Sequence, residues 1–533
     1  MQGPSGGEKS HAGTRKSSPG RRQDPHIGRF ALTLYPDCPQ DVSEDCFKPF
    51  RRQIIGYGHL HEFPCGRRPI LYADWAASGR LYRPIEEYLT NDLGPYVANT
   101  HTETTTTGTV MTRAYRQAHD IIKHHVHASD DDVLLFAGFG MTAVINKFQR
   151  ILGLRVPSLL SEAIVRKPSE RPVVIITHME HHSNQTTWEE SLCDVEILRR
   201  GGDGLPDLDH LEDILKSHAG RRPLIGSFTA CSNVTGLITP IHEMAALMHR
   251  SGGLCFADYS ASAPYVPIDM HPPNPEAHLD AVFFSPHKFL GGPGSSGVIV
   301  FDRSLYRNPV PDHPGGGTVL WTNPWGAHRY FSDIEIREDG GTPGVLQAVR
   351  ASLSVLLKEE MGVRRMLARE DLMKTRLLGG LEEIPGLHVL ERENMHRLGY
   401  LSFYAEGVHH NLIVRLLNDR FGIQTRGGCS CAGTLGHILL RIDSEASRRI
   451  TDRIDRGDLG CKPGWVRVSL HPTMTDEDIG FIRGAIREVM KCHAEWGRAY
   501  RFNTRTGNFD RMDGAMEEVD LKRVFRSMDS GHA

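Results

Sequence analysis

Short apolar runs recur along this chain from about Tyr72 onward, and helical patterns lie between them. Runs without polar alternation are typical of strands buried on both faces of a mostly parallel sheet flanked by helices. We predict strands of this kind at 133–136, 173–177, 224–229, 253–257, 281–285 and 297–301. Ligands of such sheets bind at the carboxyl ends of the strands, so functional side chains are expected there.

A second set of elements follows the predicted sheet. A helical stretch over 346–381, interrupted near Gly362, leads to apolar or helical segments at 401–404, 410–420, 466–470 and 476–491. The 533-residue chain is long enough for a large core and a second domain. We therefore predict an α/β protein with a largely disordered N-terminal tail (1–50), a large domain (51–345), a smaller C-terminal domain (346–497) and a C-terminal tail (498–533).

Charge and composition narrow the class of function. The formal net charge is −3, and no run of Lys and Arg interleaved with aromatic residues appears, which argues against a nucleic-acid partner. No apolar stretch approaches the roughly 20 residues that span a bilayer, so we expect no membrane partner. The 10 cysteines are scattered apart from Cys429 and Cys431, unlike a secreted disulfide scaffold, which favours a cytoplasmic location. The polar segment 1–29 leaves organelle targeting open.

Lys288 stands directly after the predicted strand 281–285 and before a glycine-rich segment, 291–294. A partly buried lysine near another cation has a depressed pKa and supplies the neutral amine that imine formation needs. Ser285 and His287 are candidate phosphate donors beside it, and the glycines permit close backbone approach. The competing interpretation is an ordinary surface lysine in a turn.

Asp258 supports the interpretation of Lys288 as an imine-forming amine. It directly follows the predicted strand 253–257, so it also stands at a strand end. Taken alone, an Asp at a strand end is commonly a turn former or a helix cap. A pyridoxal 5'-phosphate (PLP) enzyme needs a lysine that holds the cofactor as a Schiff base. It also needs a carboxylate facing the pyridine nitrogen, because the protonated ring is the electron sink. The pair therefore predicts PLP as the cofactor.

A glycine turn follows the predicted strand 133–136 and leads into a helical pattern. Gly140, Met141 and Thr142 occupy the start of this helix. Free backbone amides there, together with the threonine hydroxyl, would cradle a phosphate. A strand, a glycine turn and a helix form a weak signal when taken singly, so this turn is a candidate phosphate site only beside Lys288.

A histidine-rich loop follows the predicted strand 173–177. His181 in this loop is a candidate for lying flat on the cofactor ring and for proton transfer. His178 and His182 are close in sequence, so a metal site is the competing interpretation.

The remaining candidates are polar side chains further along the chain. Asn233 follows the strand 224–229 and either bonds the phenolic oxygen of the cofactor or caps a turn. Arg426 and Arg467 are each able to clamp an amino-acid carboxylate, or they form ordinary salt bridges. Cys429 and Cys431 lie in a glycine-rich loop, where a thiolate near cations would attack a substrate sulfur. A metal clip or inert thiols are the alternatives for these cysteines.

With these residues assembled, the sequence resembles the class V aminotransferase family, and within it the cysteine desulfurase and selenocysteine lyase branch. The likeness extends from about Leu71 to about Val489. Its most specific part is Asp258 followed by Phe-Ser-Pro-His-Lys at 284–288, which is similar to the family's cofactor Asp and Ser-x-His-Lys signature. The segments that resemble the phosphate turn, the stacking-histidine motif and the asparagine motif are 140–142, 180–184 and 232–236.

The resemblance implies PLP fold type I, with a mostly parallel seven-stranded sheet in the large domain and a smaller C-terminal α/β domain. It implies a homodimer, because 315–318 and 341–343 resemble family loops that meet the cofactor phosphate across a dimer interface. Thr318 is thereby a predicted cofactor contact. Ala77 lies in a segment that resembles the substrate-side loop, and Asn99 and His101 lie in a second such segment.

The resemblance also implies a reaction. In the family, an arginine of the Arg426 type shortly precedes the sulfur-accepting cysteine, which implies that Cys431 is the nucleophile. Arg467 is similar to the carboxylate-binding arginine. These matches imply removal of sulfur or selenium from a cysteine-like amino acid, with Lys288 or His181 moving protons and a sulfur-acceptor protein as a further partner.

The sequence departs from the family in three places. Ala261 replaces a family glutamine, with Ser260 as the candidate for the lost polar contact. A longer Arg- and Asp-rich connection occupies 437–462, and Cys429 adds a second thiol. Two other functions therefore stay open: a PLP-dependent aminotransferase or other lyase without a cysteine nucleophile, and a non-catalytic or metal-binding protein on the same scaffold.

Overall fold

The structure is a computed structural model that describes residues 42–161, 163–164 and 167–514. Most of the predicted N-terminal tail and the end of the predicted C-terminal tail lie outside these residues. The strands are β1 Leu60–Phe63, β2 Gly66–Pro69, β3 Leu71–Tyr72, β4 Asp132–Ala137, β5 Val173–Ile176, β6 Asp194–Ile197, β7 Leu224–Thr229, β8 Leu254–Asp258, β9 Ala281–Phe284, β10 Gly297–Asp302, β11 Val319–Thr322, β12 His328–Tyr330, β13 Leu387–Val389, β14 Tyr400–Ala405, β15 Ile423–Gln424, β16 Arg426–Gly428, β17 Trp465–Ser469, β18 Tyr500–Asn503 and β19 Asn508–Arg511.

Helices separate most of the strands of the main sheet. They are α1 Lys48–Gln53, α2 Arg83–Glu87, α3 Thr106–His125, α4 Met141–Ile151, α5 Ser158–Ser161, α6 His182–Glu189, α7 Leu208–Ser217, α8 Ile241–Arg250, α9 Ile334–Glu338, α10 Val345–Met361, α11 Val363–Leu381, α12 His410–Phe421, α13 Gly433–Leu439, α14 Ser444–Asp455 and α15 Asp476–Trp496. Local signals fix several helix starts. In α15, Thr475 accepts from the Asp478 amide while the Asp478 side chain accepts from the Thr475 amide, which is a capping box.

The main sheet has seven strands in the order β4-β10-β9-β8-β7-β5-β6. The pairs from β9 through β6 are parallel, and β10 is antiparallel to both β4 and β9. Because β10 reverses direction between them, β4 and β9 point the same way. The predicted α/β class with a mostly parallel sheet is confirmed, and β4, β5, β7, β8 and β9 end at one edge.

Both faces of this sheet are buried, which explains why its strands are apolar without alternation. In β8, Cys255 and Ala257 pack on one face and Phe256 packs on the other, and all three are fully buried. Helices α3, α8 and α10 contribute to the first core, whereas α4 covers the second. The two cores hold the strand ends in a fixed relation, so the residues that follow them are positioned accurately.

A break between two long helices follows the main sheet. Gly362 has φ +79° between α10 and α11, a conformation that favours glycine. A Cβ at this position would also lie 2.8 Å from Arg365 Nε. The interruption that the sequence predicts near Gly362 is therefore confirmed.

The second α/β part contains a four-stranded sheet in the order β13-β14-β17-β16. Its strands β16 and β17 place Arg426 directly opposite Arg467 in an antiparallel register. Strand β15 pairs with β3, so the chain just before Ala73 is held against this part of the protein. The domain boundary at 345/346 stays a prediction.

Parts of both predicted tails have regular structure. Helix α1 begins within the segment predicted as the N-terminal tail and extends three residues beyond it. Strands β18 and β19 form an antiparallel hairpin within the predicted C-terminal tail, and Asn411 Nδ2 of α12 donates to Gly507 O at its turn, 2.7 Å away. In the part of the chain that the structure describes, no helix combines the length and apolarity needed to span a membrane.

Candidate active site

A cavity of about 250 Å³ lies at the carboxyl edge of the main sheet. Its lining comes from both parts of the protein, because the loops after β4, β5, β7, β8 and β9 meet residues of β16, β17 and the loop between them. The predicted residues in the lining are Ala77, Met141, Thr142, His181, Asn233, Asp258, Ser260, Ser285, His287, Lys288, Arg426, Cys431 and Arg467. The fold therefore brings thirteen of the predicted residues together around one cavity.

Lys288 ends the short 3-10 turn Pro286–Lys288 that follows β9. Burial lowers the pKa of Lys288 to about 8, while the nearby Asp258 carboxylate opposes this shift and the Arg467 guanidinium adds to it. A lysine with such a pKa has a substantial fraction of neutral amine near pH 8. This is the form that attacks a carbonyl carbon.

Asp258 ends β8 and faces the same cavity as Lys288. Burial raises the pKa of Asp258, whereas the Ser260 hydrogen bond and the Lys288 charge lower it. The Ser260 amide donates to Asp258 Oδ1 at 2.8 Å, which fixes the carboxyl orientation. Such a carboxyl is suited to pairing with a protonated aromatic nitrogen inside the cavity.

His181 follows β5 and caps α6. Burial lowers the pKa of His181 to about 3, and the Lys288 charge adds to this shift, so the imidazole is neutral. The Ser183 amide donates to His181 Nδ1 at 3.1 Å, which makes Nδ1 an acceptor and leaves the ring proton on Nε2. The orientation of the ring is thereby set by the start of its own helix.

Glu180 holds the loop after β5 in place through hydrogen bonds. Burial raises the pKa of Glu180 to about 7. Its Oε1 accepts from the Thr229 amide at 2.8 Å and from Thr177 Oγ1 at 2.7 Å, and its Oε2 accepts from Asn184 Nδ2 at 2.8 Å. These bonds tie the loop after β5 to the end of β7.

The predicted phosphate end of the cavity is built on the start of α4. The Met141 amide donates to Ser285 Oγ at 2.9 Å, and the Thr142 hydroxyl lies 2.6 Å from Ser183 Oγ. Gly140 has φ +139°, and a Cβ there would lie 3.2 Å from Ser285 Oγ. The turn therefore combines hydroxyl groups, a helix start and a position that favours glycine.

One carboxylate holds both arginines. Arg467 Nη2 donates to Asp74 Oδ1 at 2.8 Å, and Arg426 Nε donates to Asp74 Oδ2 at 3.0 Å. Arg467 Nη1 also donates to Asn233 O at 2.9 Å, whereas its buried Nε has no partner. The fixed guanidinium with a free N–H is a suitable receptor for a carboxylate.

Cys431 lies in a loop that is bonded to the main-sheet part at several points. Ser430 and Cys431 have φ values of 51° and 57°, a left-handed conformation that costs roughly 1–2 kcal/mol per residue. Asn233 Nδ2 donates to Ser430 O at 2.8 Å, the His182 amide donates to Cys431 O at 2.8 Å, and the Gly433 amide donates to His182 Nε2 at 2.9 Å. Hydrogen bonds on both sides of the cysteine hold this strained loop.

The two cysteines of the glycine-rich loop face different surroundings. Cys431 is exposed and lines the cavity. Cys429 is partly buried against the apolar cluster of Leu435 and Trp465. The geometry therefore favours Cys431 over Cys429 as the thiol that reaches a bound substrate.

Four predicted residues are not part of this lining. Gly140 borders a neighbouring cavity on the other side of Ser285 and His287. Asn99, His101 and Thr318 lie near the segment 339–342: Thr342 Oγ1 donates to Asn99 Oδ1 at 3.5 Å, and a Cβ at Gly317 would lie 3.6 Å from His101 Nε2. Their predicted contacts stay predictions, as does the dimer interface on which they depend.

The structure disfavours the metal interpretation of the histidine loop. His181 Nδ1 accepts from the Ser183 amide, and His182 Nε2 accepts from the Gly433 amide. In each ring, one nitrogen therefore already accepts a hydrogen bond from a backbone amide. Among the described residues, a group of ligand atoms close enough for a metal ion occurs elsewhere.

The residues present fit pyridoxal phosphate. The cavity is lined by a primary amine (Lys288), a buried carboxyl (Asp258) and a neutral imidazole (His181). Asn233 Oδ1 is buried without a partner, so an additional donor in the cavity would satisfy it. Hydroxyl groups and the α4 start supply donors for a phosphate.

Sequence reasoning missed several contributors to the site. Asp74 lies three positions before Ala77 in the segment that resembles the substrate-side loop, and Glu180 and His182 lie in the 180–184 motif, but their roles depend on partners far away in sequence. Cys231 also lines the cavity, and burial raises its thiol pKa well above the usual value, so it stays protonated. The sequence feature that could have identified Cys231 as a lining residue was its position directly before Ser232 and Asn233.

Comparisons with known proteins agree with the fold. The family described as Aminotransferase class-V matches residues 71–481. A protein named "Probable cysteine desulfurase" from Halalkalibacterium halodurans is 27% identical over 378 residues, covering 69% of this chain and 85% of that protein. A cysteine desulfurase from Haloferax volcanii is 24% identical over 371 residues, covering 69% and 82%.

Solved structures show the same fold. An apo cysteine desulfurase from Thermococcus onnurineus NA1 aligns with a TM-score of 0.65 and 20% identity, covering 83% of this chain and 98% of that one. The cysteine desulfurase CsdA from Escherichia coli aligns with a TM-score of 0.64 and 21% identity, covering 84% and 98%.

The fold and the site together define an α/β enzyme of the PLP-dependent fold type I. The chain belongs to the class-V aminotransferase family, as the match over 71–481 shows. The predicted family and fold are therefore confirmed, and the chain is an enzyme of that PLP-dependent class.

Proposed function

We propose that this chain removes sulfur or selenium from a cysteine-like amino acid with pyridoxal 5'-phosphate as cofactor. The observation that carries the proposal is the convergence of Lys288, Asp258, Arg467 and Cys431 on one cavity of about 250 Å³. The relatives named cysteine desulfurase support the choice of substrate.

Each part of the cofactor has matching residues in the cavity. Lys288 would supply the amine that bonds to the cofactor, and Asp258 would pair with its ring nitrogen. His181 would lie against the ring, and Asn233 would bond its phenolic oxygen. The residues for the phosphate are Met141, Thr142, Ser285 and His287 with Ser260 nearby. When bound, pyridoxal phosphate withdraws electrons from the substrate's alpha carbon.

The arginines orient the substrate. Arg467 presents its unpartnered Nε–H to the alpha-carboxylate, with Arg426 beside it and Asp74 holding both guanidinium groups. Asp74 offsets one of the two positive charges, so the pair is matched to a single carboxylate. This orientation directs the substrate side chain toward the Cys431 loop.

Sulfur transfer then takes place at Cys431. Its thiolate forms an S–S bond to the substrate sulfur while the carbon–sulfur bond breaks. The electron pair of that bond stays with carbon, which takes up a proton, so cysteine becomes alanine and Cys431 carries the sulfur as a persulfide. Lys288 and His181 Nε2 are the groups placed to move protons.

The partners follow from the same proposal. A persulfide on the exposed Cys431 needs a thiol reductant or a sulfur-acceptor protein to release it. A homodimer is proposed as well, because Asn99, His101 and Thr318 lie outside this cavity and would act on the site of a second copy.

A substrate screen tests the proposed reaction. Purified full-length protein, supplied with pyridoxal phosphate and a thiol reductant, is expected to form alanine and sulfide in equal amounts from cysteine, and alanine and selenide from selenocysteine. Parallel assays with other amino acids and a keto-acid acceptor cover the aminotransferase alternative. Amino transfer without alanine from cysteine would contradict the proposal.

Replacing Arg467 with lysine is expected to raise KM for cysteine by about 10- to 100-fold with a smaller change in kcat. Lysine cannot reproduce the planar donor set, and a hydrogen bond to a charged group contributes roughly 1.5–3 kcal/mol. Steady-state kinetics measure both constants. Arg449→Lys, at the exposed pair with Glu445, is the matched control. An unchanged KM in Arg467→Lys would contradict the assigned role.

Replacing His182 with alanine is expected to lower kcat by about 10- to 100-fold, because a misplaced reacting group loses about this much. The Gly433 amide loses its acceptor, and the strained Cys431 loop is then free to relax. His182→Gln retains an acceptor and is expected to recover part of the rate.

Two readouts separate positioning from general damage in the His182 variants. The alkylation rate of Cys431 by iodoacetamide should change in His182→Ala, whereas the cofactor absorbance spectrum should not. Glu190→Gln, beside the end of the same helix, controls for helix stability. Equal alkylation rates in wild type and His182→Ala would exclude the positioning role.

A further inference from the structure

A cluster of two histidines and one aspartate lies at the end of the main sheet opposite the cavity. His249 is in the last turn of α8, His278 follows the 3-10 turn Pro275–Ala277, and Asp280 immediately precedes β9. One ligand atom from each residue lies within 4.8 Å of the others. The proposed sulfur chemistry makes no use of this cluster.

Backbone carbonyls determine the protonation of both rings. His249 Nδ1 donates to Glu276 O at 2.6 Å, and His278 Nδ1 donates to Pro275 O at 2.7 Å. A carbonyl oxygen only accepts, so each Nδ1 carries the ring hydrogen. In its neutral form each imidazole therefore presents a lone pair at Nε2. A carbonyl that fixes the distal nitrogen in this way is the usual second contact of a metal-ligating histidine.

Both Nε2 atoms face the same buried carboxylate. The distances are 2.9 Å from His249 Nε2 to Asp280 Oδ2 and 3.6 Å from His278 Nε2 to Asp280 Oδ1. The Cys255 amide also donates to Asp280 Oδ2 at 2.7 Å, which fixes the carboxylate. Two lone pairs directed at an anion repel it, so this arrangement requires positive charge between the groups.

A proton on each Nε2 is one source of that charge. The two imidazole rings are stacked with centroids 3.9 Å apart and planes 6° from parallel. Protonating both Nε2 atoms would stack two cations on each other while they share one carboxylate. A single divalent ion supplies the charge to all three ligands at once.

We propose that His249, His278 and Asp280 form a binding site for a divalent transition-metal ion of the zinc class. Two imidazole nitrogens and one carboxylate oxygen are ligands that Zn²⁺ accepts, at about 2.0–2.2 Å, with water completing a tetrahedral shell. The two rings are almost parallel, so at least one of them must rotate out of the stacked arrangement to aim both lone pairs at one ion. His278 has room for this, because 36% of its side chain is exposed.

The position of the site indicates a structural effect. Asp280 immediately precedes β9, which leads to Lys288, and its Cys255 contact lies on β8, which ends at Asp258. An ion here would join the end of α8 to both strands on the far side of the sheet. It would therefore stabilise the folded chain without contacting the cofactor or substrate.

The test uses chelator-treated full-length protein and Zn²⁺ itself. Equilibrium dialysis and calorimetry are expected to show one more zinc bound in wild type than in His249→Ala or His278→Ala, whose affinity at this site falls at least about 100-fold. His242→Ala is the matched control, because His242 lies on the same helix and contacts the Ala277 carbonyl but not Asp280.

Melting temperature gives an independent readout that does not depend on enzymatic activity. Zinc should raise Tm in wild type and His242→Ala but not in the His249 or His278 variants. The milder His278→Gln variant covers the case in which an alanine variant folds poorly without metal. Equal zinc stoichiometry and equal Tm shifts in wild type and His278→Gln would overturn the proposal and leave a pair of histidines that binds protons only.

Discussion

The Lys288→Ala variant is expected to bind pyridoxal phosphate without a covalent bond and to lose turnover by about 10²- to 10⁴-fold. Lys288 is the amine that lines the same cavity as Asp258, and its pKa, lowered by burial to about 8, keeps part of it neutral. The same group is also expected to move protons during the reaction. Absorbance spectra and the rate of alanine formation from cysteine measure the two losses separately.

A lysine elsewhere controls for the loss of charge. Lys216→Ala removes an exposed amine that pairs with Glu212 on α7 and does not line the cavity. It should retain the colour and the rate of wild type. A Lys288→Ala protein with wild-type colour after dialysis, or with wild-type turnover, would contradict the role of this lysine.

The Cys431→Ser variant is expected to lose cysteine-dependent sulfide release by at least about 100-fold while it keeps the cofactor spectrum of wild type. Serine retains the size of the side chain but is a poor nucleophile toward sulfur. The loop geometry should persist, because its hydrogen bonds use the Ser430 and Cys431 carbonyls and the Gly433 amide rather than the thiol.

Cys429→Ser is the natural control for this variant. Cys429 packs against the Trp465 cluster, so its substitution should leave sulfide release largely unchanged. Unchanged turnover in Cys431→Ser would exclude persulfide formation at this residue. It would favour a PLP-dependent reaction in which Cys431 only lines the cavity.

Local sequence pattern predicted most of the main sheet. Runs such as 224–229 and 281–285 correspond to β7 and β9 within a residue, because strands buried on both faces are apolar throughout. Gly362 marked the boundary between α10 and α11 because few other residues adopt its φ of +79°. By contrast, β6 was missed: its residues Asp194–Ile197 are only partly buried and include two acids.

The site was predictable where function depends on residue type at a strand end. Lys288, Asp258 and His181 each follow a buried strand, so the fold alone brings them to one edge of the sheet. Asp74 was harder, because its role depends on Arg426 and Arg467, which are more than 350 positions away and reach it through pairing of β16 with β17. The spacing of residues along the sequence does not indicate such long-range contacts.

The longer connection at 437–462 shows another limit of local reasoning. It contains the end of α13 and all of α14, and α14 is charged enough that none of its residues is buried. Individual bonds fix this part of the chain: Thr434 Oγ1, just before the connection, donates to Gln185 Oε1 at 2.9 Å, and His437 Nε2 lies 2.9 Å from Ser447 Oγ within it. An Arg- and Asp-rich pattern identifies a polar segment but does not specify these partners.

Borohydride trapping of the reconstituted protein tests the central claim most directly. Full-length chain is incubated with pyridoxal phosphate, reduced with borohydride, digested and mapped by mass spectrometry. The position of Lys288 in the same cavity as Asp258 predicts a single reduced pyridoxyl adduct on the peptide that contains Lys288. An adduct confined to other lysines, or no adduct in protein that is otherwise folded, would contradict it.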